Sequence, residues 1–549
     1  MYITTEVQIV RLIVTTAIFA CLVRAFQTSQ SSSPVVNTKN GKVEGLYLEE
    51  ARVFYGVPYA QPPTGANRWK SPQAVQTWSP KVLQAKTPPP GCPQQCMNPP
   101  HVCPNKTNEN CLFLNFFTPL DATSSSKLPV MVYIHGGNFR DGVGANDLQD
   151  GRYLANHTNT IVGSINYRVG ALGFLVAGKG AEAARGNYGI EDQRMAFAWF
   201  KENIAAFGGD PDRITMFGQS AGAQSVGIHL TSEKSADVFD QAIVESNPLT
   251  LPFKTRIESV ILGDYLATEL NCSRGDITCL RSKDANDIVA AQQTVSSKIV
   301  NPFRLMELFE PWGPHLDDDN LKQQPVDAMA RGDFQKKPIM IGTTSDEARV
   351  NLFMAYKTPM DKTQYYETIV ADFPTHFIKI LGKYPALTSG DQREILDFAG
   401  TAYIFLCPNR KVERGIARVQ DNVWVYLFDH VLSFDAWGPQ FAFCRNHSCH
   451  GAELPFVFHS APLAGFHYTV DEEELSQSMI YYWTNFAHTG NPNNPPSSNT
   501  GAVRRRFIEW PQYNASESQY IHFKTPKTTI NSNYRGNECD FWDSLNVYP

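Results

Sequence analysis

The chain has 549 residues, 42% of them hydrophobic and 19% charged, with a formal net charge of −6. That length and balance suit a globular protein with a sizeable core, organised as one large domain or several ordinary ones. The mild acidity, with no basic stripe, speaks against nucleic acid as a partner and is too weak to argue for a cationic substrate.

Near the N-terminus, Arg11 supplies a positive charge, Leu12 to Val23 a short apolar core, and Val23-Arg24-Ala25 a small-x-small cleavage pattern. Together they predict a secretory signal over residues 1–25, cleaved before Phe26. The apolar run falls short of the ~20 residues a membrane span needs. Gln27 to Pro34 is polar and Ser-rich, and reads as a loose start to the mature chain. No repeat, linker or low-complexity stretch divides the rest of the chain, so 26–549 is expected to be a single domain. Asn491 to Thr500, rich in Asn, Pro and Ser, reads as a surface loop. Asp543 to Pro549 carries no hydrophobic tail, so neither a lipid-anchor signal nor a C-terminal span is expected.

Of 11 cysteines, Cys21 lies in the signal and ten remain, an even number fit for disulfides in an oxidising compartment. They fall as Cys92, Cys96, Cys103 and Cys111; Cys272 and Cys279; Cys444 and Cys449; with Cys407 and Cys539 apart. The first group lacks paired C-x₂-C spacing and a histidine pattern, so no metal is expected. Five Asn-x-Ser/Thr sequons, at Asn105, Asn156, Asn271, Asn446 and Asn514, are candidate glycosylation sites and fit a secreted, extracellular protein.

Between these landmarks, short apolar strands alternate with helical stretches. Leu128 to His135 and Thr160 to Tyr167 read as buried strands. Glu191 to Phe207 has helical spacing and is stopped by Gly208-Gly209. Arg213 to Phe217, Lys337 to Gly342 and Val423 to Phe428 are further strands. The alternation predicts an α/β protein with helices on both faces of a layered sheet. Chemistry on such sheets gathers at the carboxyl ends of the strands.

A Gly-x-Ser-x-Gly sequence, Gly218-Gln219-Ser220-Ala221-Gly222, stands at a strand-to-helix junction. There it forms a sharp elbow that exposes the serine hydroxyl. A hydroxyl is a weak nucleophile at neutral pH and needs a base, an acid to orient the base, and hydrogen-bond donors for the developing oxyanion. The Gly-rich turn His135-Gly136-Gly137-Asn138-Phe139 follows a strand and offers the N–H groups of Gly137 and Asn138, with Ala221 as a third. His450, in Cys449-His450-Gly451-Ala452-Glu453, sits in a turn pinned by cysteine and is the candidate base. His157, His376, His447 and His488 read as loop histidines. Asp346 and Glu347 both follow the strand ending at Gly342, and both qualify by location as the acid.

These residues lie within longer segments that resemble the type-B carboxylesterase/cholinesterase family of α/β hydrolases. The resemblance runs through FYGVPYAQPPTGANRW (Phe54 to Trp69), ENCLFLN (Glu109 to Asn115), NYRVGALGF (Asn166 to Phe174), the segment Gly186 to Pro211, FGQSAGA (Phe217 to Ala223) and CHGAELPFVF (Cys449 to Phe458). It implies the α/β-hydrolase fold, with a large, mostly parallel central sheet. It implies Ser220 as nucleophile, Glu347 rather than Asp346 as triad acid, His450 as base, and Gly137, Asn138 and Ala221 as oxyanion donors. Phe253 falls where cholinesterases carry an acyl-pocket tryptophan, and is expected to bind substrate. The implied disulfides are Cys92–Cys111, Cys96–Cys103, Cys272–Cys279, Cys407–Cys539 and Cys444–Cys449, with the connectivity inside the first cluster the least determined.

The expected activity is hydrolysis of a small carboxylic ester, with no cofactor and no metal. Three departures from the family bear on the substrate. The Cys92–Cys111 segment has no tryptophan to hold a quaternary ammonium by cation–π contact, and His101 sits near that place. Gln219 replaces a glutamate, and Asn138 replaces a glycine. The first two argue against a choline ester. A lipase would need an apolar lid, which the Pro- and Asn-rich segment does not supply. Some members of the family are adhesion molecules that keep the fold without the triad, so a non-catalytic binding protein is the rival reading.

Overall fold

A computed structural model describes residues 33–302, 304–495 and 507–548. The signal sequence and the second half of the Asn491 to Thr500 loop lie outside these residues. The centre is an 11-stranded sheet. Its strands, in chain order, are β1 (Leu46–Tyr47), β2 (Arg52–Pro58), β3 (Phe113–Thr118), β4 (Leu128–Ile134), β5 (Ile161–Ile165), β6 (Gly209–Gln219), β7 (Gln241–Glu245), β8 (Ile339–Thr344), β9 (Val423–Phe428), β10 (Gln519–Phe523) and β11 (Thr529–Ser532). The spatial order is 11-10-9-8-7-6-4-5-3-2-1. Every neighbouring pair from β5 to β10 is parallel, and the pairs at both margins are antiparallel.

The central strands are continuous apolar runs because both faces of the sheet are covered. Along β4, Val130, Val132 and Ile134 point into one core while Met131 and Tyr133 point into the other. The same alternation places Val423, Val425 and Leu427 of β9 on the first side and Trp424, Tyr426 and Phe428 on the second. Helix α1 (Tyr188–Asn203) and helix α2 (Ala221–Thr231) supply Phe197, Phe200, Val226 and Leu230 to the first face. Helix α3 (Val470–Thr489) supplies Met479, Tyr482, Trp483 and Phe486 to the other. Each such fully buried side chain contributes about 1.5–3 kcal/mol.

Two boundaries differ from the sequence reading. Helix α1 begins at Tyr188, just after Asn187 in a left-handed conformation, with Tyr188, Gly189 and Ile190 buried, and its last turn tightens to a short 3-10 stretch, Ile204–Phe207. Gly208, at φ 100°, stops that turn, whereas Gly209 already belongs to β6 and extends the strand four residues before Arg213. Among the described residues, no helix is long and apolar enough to cross a membrane.

Candidate active site

Four strands end on the same side of the sheet and release the turns that carry the predicted chemistry. Strand β6 runs straight into Ser220, which sits at φ 60°, ψ −124°, a conformation costing about 1–3 kcal/mol that surrounding contacts must hold. The Ser220 N–H donates to the Glu245 carbonyl at the end of β7 (3.0 Å), and its own carbonyl accepts from the Gln224 N–H in α2 (2.9 Å). Helix α2 passes so close to the end of β4 that a Cβ at Gly222 would run into the Ile134 carbonyl oxygen. The second glycine of the elbow is therefore set by space.

The acid and the base meet across 103 residues of sequence. His450 Nδ1 lies 2.5 Å from Glu347 Oε2, and Glu347 Oε1 accepts the Thr344 N–H at 2.7 Å. The Glu347 side chain is fully buried. Asp346 turns the other way. Its carboxylate accepts the Ser448 N–H (3.0 Å) and pairs with His447 Nδ1 (3.3 Å), while its own N–H donates to the Ser448 carbonyl (3.1 Å). Asp346 thus clamps the turn that presents His450, and His447, read from sequence as a loop histidine, belongs to that clamp. The Cys444–Cys449 disulfide closes the same turn. His450 Nε2 is buried and makes no hydrogen bond among the described residues, so its link to Ser220 Oγ is not closed in this structure. Catalytic hydrogen bonds of this kind commonly tighten only when substrate is bound.

The oxyanion turn leaves β4 at Ile134. Gly137 (φ 100°), Asn138 (φ 58°) and Phe139 (φ 53°) all have left-handed backbones. At Gly137 a side chain would strike Asp141. Asparagine tolerates the left-handed region better than most residues, which suits position 138. The N–H groups of Gly137 and Asn138 donate to no acceptor among the described residues. Ala221, the first residue of α2, presents one of the N–H groups a helix leaves unpaired at its start.

Three buried carboxyl groups, Glu245, Glu347 and Glu453, underlie this arrangement. Burial first, then Glu245 and Glu347, push Glu453 well above the carboxylate range; Ser246 Oγ donates to it at 3.4 Å. Burial pushes Glu245 up to about 8, opposed by the Trp483 indole N–H on its Oε1 (2.7 Å). The folded protein therefore holds this proton up to about pH 8, while an unfolded glutamate releases it near ~4.3. Its contribution to stability is complete below the unfolded value and is lost as pH rises toward the folded one. Glu245→Gln keeps an acceptor for Trp483 and should flatten the fall in Tm between about pH 5 and 8. Glu413, also raised to about 8 by burial, leaves part of the slope in place. An unchanged slope in thermal melts would count against a protonated Glu245.

Ser220, His450, Gly137 and Asn138 line one cavity of about 370 Å³. Its walls are mostly apolar, including Leu251, Leu308, Phe309, Met354, Phe405 and Trp437. Phe253, expected to contact substrate, is not among the lining residues. Gln324 accepts its N–H (3.0 Å) and donates to its carbonyl (2.8 Å), and its ring packs in the core 6.3 Å from Phe139. Leu251 takes the place at the wall. His101 is also off the wall, edge-on to Phe466 at 5.3 Å; Met97, Asn98, Pro99 and Val102 represent its segment in the cavity. Gln219 does line the cavity. Two features escaped sequence reasoning. Leu308 and Phe309 had no local signal, since only long-range packing brings them here. Glu453 had one, standing three residues after His450 in a motif already singled out. Among the described residues, no group of three or more His, Cys, Asp or Glu could hold a metal ion.

The disulfides are Cys92–Cys111, Cys96–Cys103, Cys272–Cys279, Cys407–Cys539 and Cys444–Cys449, the pairs that the resemblance implied. Asn105, Asn271, Asn446 and Asn514 are exposed, and Asn156 is half-buried.

Comparison with known proteins agrees with this architecture. A model of the carboxylesterase family matches residues 32–542. The cAMP-regulated D2 protein of Dictyostelium discoideum is 36% identical, covering 93% of each chain. An acetylcholinesterase of Bungarus fasciatus is 32% identical over 92% of this chain and 86% of its own. Neuroligin-2 of Rattus norvegicus is 33% identical over 93% of this chain and 67% of its own. A sheet of this order, an elbow at the end of β6 and a family match across nearly the whole length agree, and the chain belongs to the carboxylesterase family of α/β hydrolases.

Proposed function

We propose that this protein is a secreted, single-domain serine esterase that cleaves small carboxylic esters through an acyl-enzyme on Ser220. The observation that carries the reading is the 2.5 Å contact of His450 Nδ1 with buried Glu347, which leaves Nε2, without a partner among the described residues, in the cavity that Ser220 lines. In the reaction, Ser220 Oγ attacks the ester carbonyl carbon and His450 Nε2 takes its proton. The N–H groups of Gly137, Asn138 and Ala221 hold the oxyanion. The tetrahedral intermediate collapses, the bond to the alcohol oxygen breaks, and His450 returns the proton to that oxygen. Water then repeats the sequence on the acyl-enzyme, with His450 as base, and releases the acid.

The cavity argues against a choline ester. No aromatic residue of the Cys92–Cys111 segment reaches its wall, and neutral Gln219 stands beside the serine. The same segment contributes Met97, Asn98, Pro99 and Val102, too little apolar surface for a lipase lid. The exposed sequons are sites for N-linked glycans in the secreted protein.

The reading is tested by exposing the purified protein to an organophosphate. The expected result is a covalent phosphoryl adduct on the Ser220 peptide, found by mass spectrometry, with loss of aryl-ester turnover. A folded protein that neither labels nor turns over esters would instead be the non-catalytic binding protein.

A further inference from the structure

The side chain of Asn138 has a role that its backbone N–H does not explain. Its Nδ2 donates to the Phe309 carbonyl at 2.5 Å. A glycine at 138 would satisfy the left-handed backbone equally well, but it would leave this bond unmade. Phe309 ends the short 3-10 turn Leu305–Phe309, and Leu308 and Phe309 are both cavity wall. The next residue is fastened as well. The Glu310 carbonyl accepts Lys254 Nζ (2.8 Å), and Glu310 Oε2 accepts Gln224 Nε2 (2.9 Å), from the helix that starts at the elbow. The wall is thus tied to the oxyanion turn on one side and to the nucleophile helix on the other.

Behind Phe309 lies a second, small apolar space of about 30 Å³, lined among others by Met306, Leu352, Ile369, Tyr403 and Trp542. Phe309 borders both spaces. An ester held with its carbonyl oxygen at the Gly137 and Asn138 amides must turn its leaving oxygen toward His450, which protonates it. The acyl chain takes the remaining direction, and the fastened Leu308 and Phe309 are cavity wall bonded to the oxyanion turn.

We propose that Asn138 is a specificity-determining positioning residue: through its bond to the Phe309 carbonyl it holds the Leu305–Phe309 turn in place and so limits the length of the acyl group accepted. The inference rests on the esterase reading above. Without the bond, the turn shifts toward the apolar space behind it and admits longer chains.

The test is a series of p-nitrophenyl esters, from acetate through butyrate to octanoate, with kcat and KM measured for wild type, Asn138→Gly, Asn138→Asp and Phe309→Ala. Every variant at 138 keeps the backbone N–H, so the oxyanion donor is not deleted. Glycine and aspartate both tolerate the left-handed backbone, and neither side chain can donate to the carbonyl in its ionised or absent form. The wild type should favour acetate and butyrate. The acetate-to-octanoate ratio of kcat/KM should fall at least about tenfold in both 138 variants, chiefly through KM for octanoate. Phe309→Ala should relax the ratio in the same direction, and adding Asn138→Gly to it should change the ratio less than Asn138→Gly does alone. A uniform loss across the three esters overturns the proposal while leaving the esterase reading intact. A wild type without turnover or organophosphate labelling overturns both.

Discussion

Ser220→Ala should lower kcat on a simple aryl ester by roughly 10⁶, with far less change in KM. The substitution removes one oxygen and leaves the cavity, the oxyanion turn and the Glu347–His450 pair in place. On the proposed mechanism substrate should still bind with its carbonyl at the amides, and no covalent acyl-enzyme should form. The residual rate over water is what the donors and binding alone supply, about 10³–10⁴ in enzymes of this design. Thermal stability should hold, because Ser220 makes its elbow contacts with backbone atoms, the N–H to Glu245 and the carbonyl to Gln224. Burst kinetics on the variant decide the matter: turnover within tenfold of wild type would remove Ser220 from the mechanism.

Glu347→Gln should cost about 10⁴ in kcat, and the structure gives the reason at the level of single atoms. The Thr344 N–H points at one oxygen of the acid (2.7 Å) and His450 Nδ1 at the other (2.5 Å). A glutamine in this place must turn its carbonyl oxygen to the Thr344 N–H. Its NH₂ then faces His450 Nδ1 and donates to it. That forces the imidazole proton onto Nε2, the atom that in the proposed mechanism accepts the proton of Ser220. The ring is held in the wrong tautomer, and the positive charge it acquires during attack loses its counter-charge. Asp346→Asn, by contrast, leaves the His450 contact untouched and weakens only the clamp on residues 447–448. A Glu347→Gln variant no slower than Asp346→Asn would show that the acid had been assigned to the wrong neighbour.

That pair of adjacent carboxylates marks where sequence reasoning stops. Location placed both after the same strand, and family resemblance alone preferred Glu347. In the fold, consecutive residues of one turn point opposite ways, so one carboxylate meets the imidazole and the other ties down the turn that carries it. The strands, by contrast, were readable. A strand covered on both faces must be apolar throughout, and the runs at 128–135 and 423–428 could not otherwise be soluble. The elbow was readable for a related reason. Its glycines make room for the approach of α2 to the end of β4, and they stand within one five-residue pattern that can be recognised in the chain. Phe253 misled because an aromatic residue near a cleft has two stable homes. Its backbone is pinned by Gln324, 71 residues away, and its ring packs in the core beside Phe139.

Alone, the order of amino acids determined the class of fold and the complement of chemical groups: a serine on a tight bend, an imidazole beside a cystine, amides in a glycine-rich turn, an acid between them in the chain. Those come from periodicity, steric need and residue type, which act over a few neighbours. Only the folded chain decided which acid faces the imidazole, which aromatic rings border the cavity and what the Asn138 amide grips. Each of these is a choice of partner between segments tens to hundreds of residues apart, and it is made by the packing of the sheet and its helices rather than by anything local to either partner.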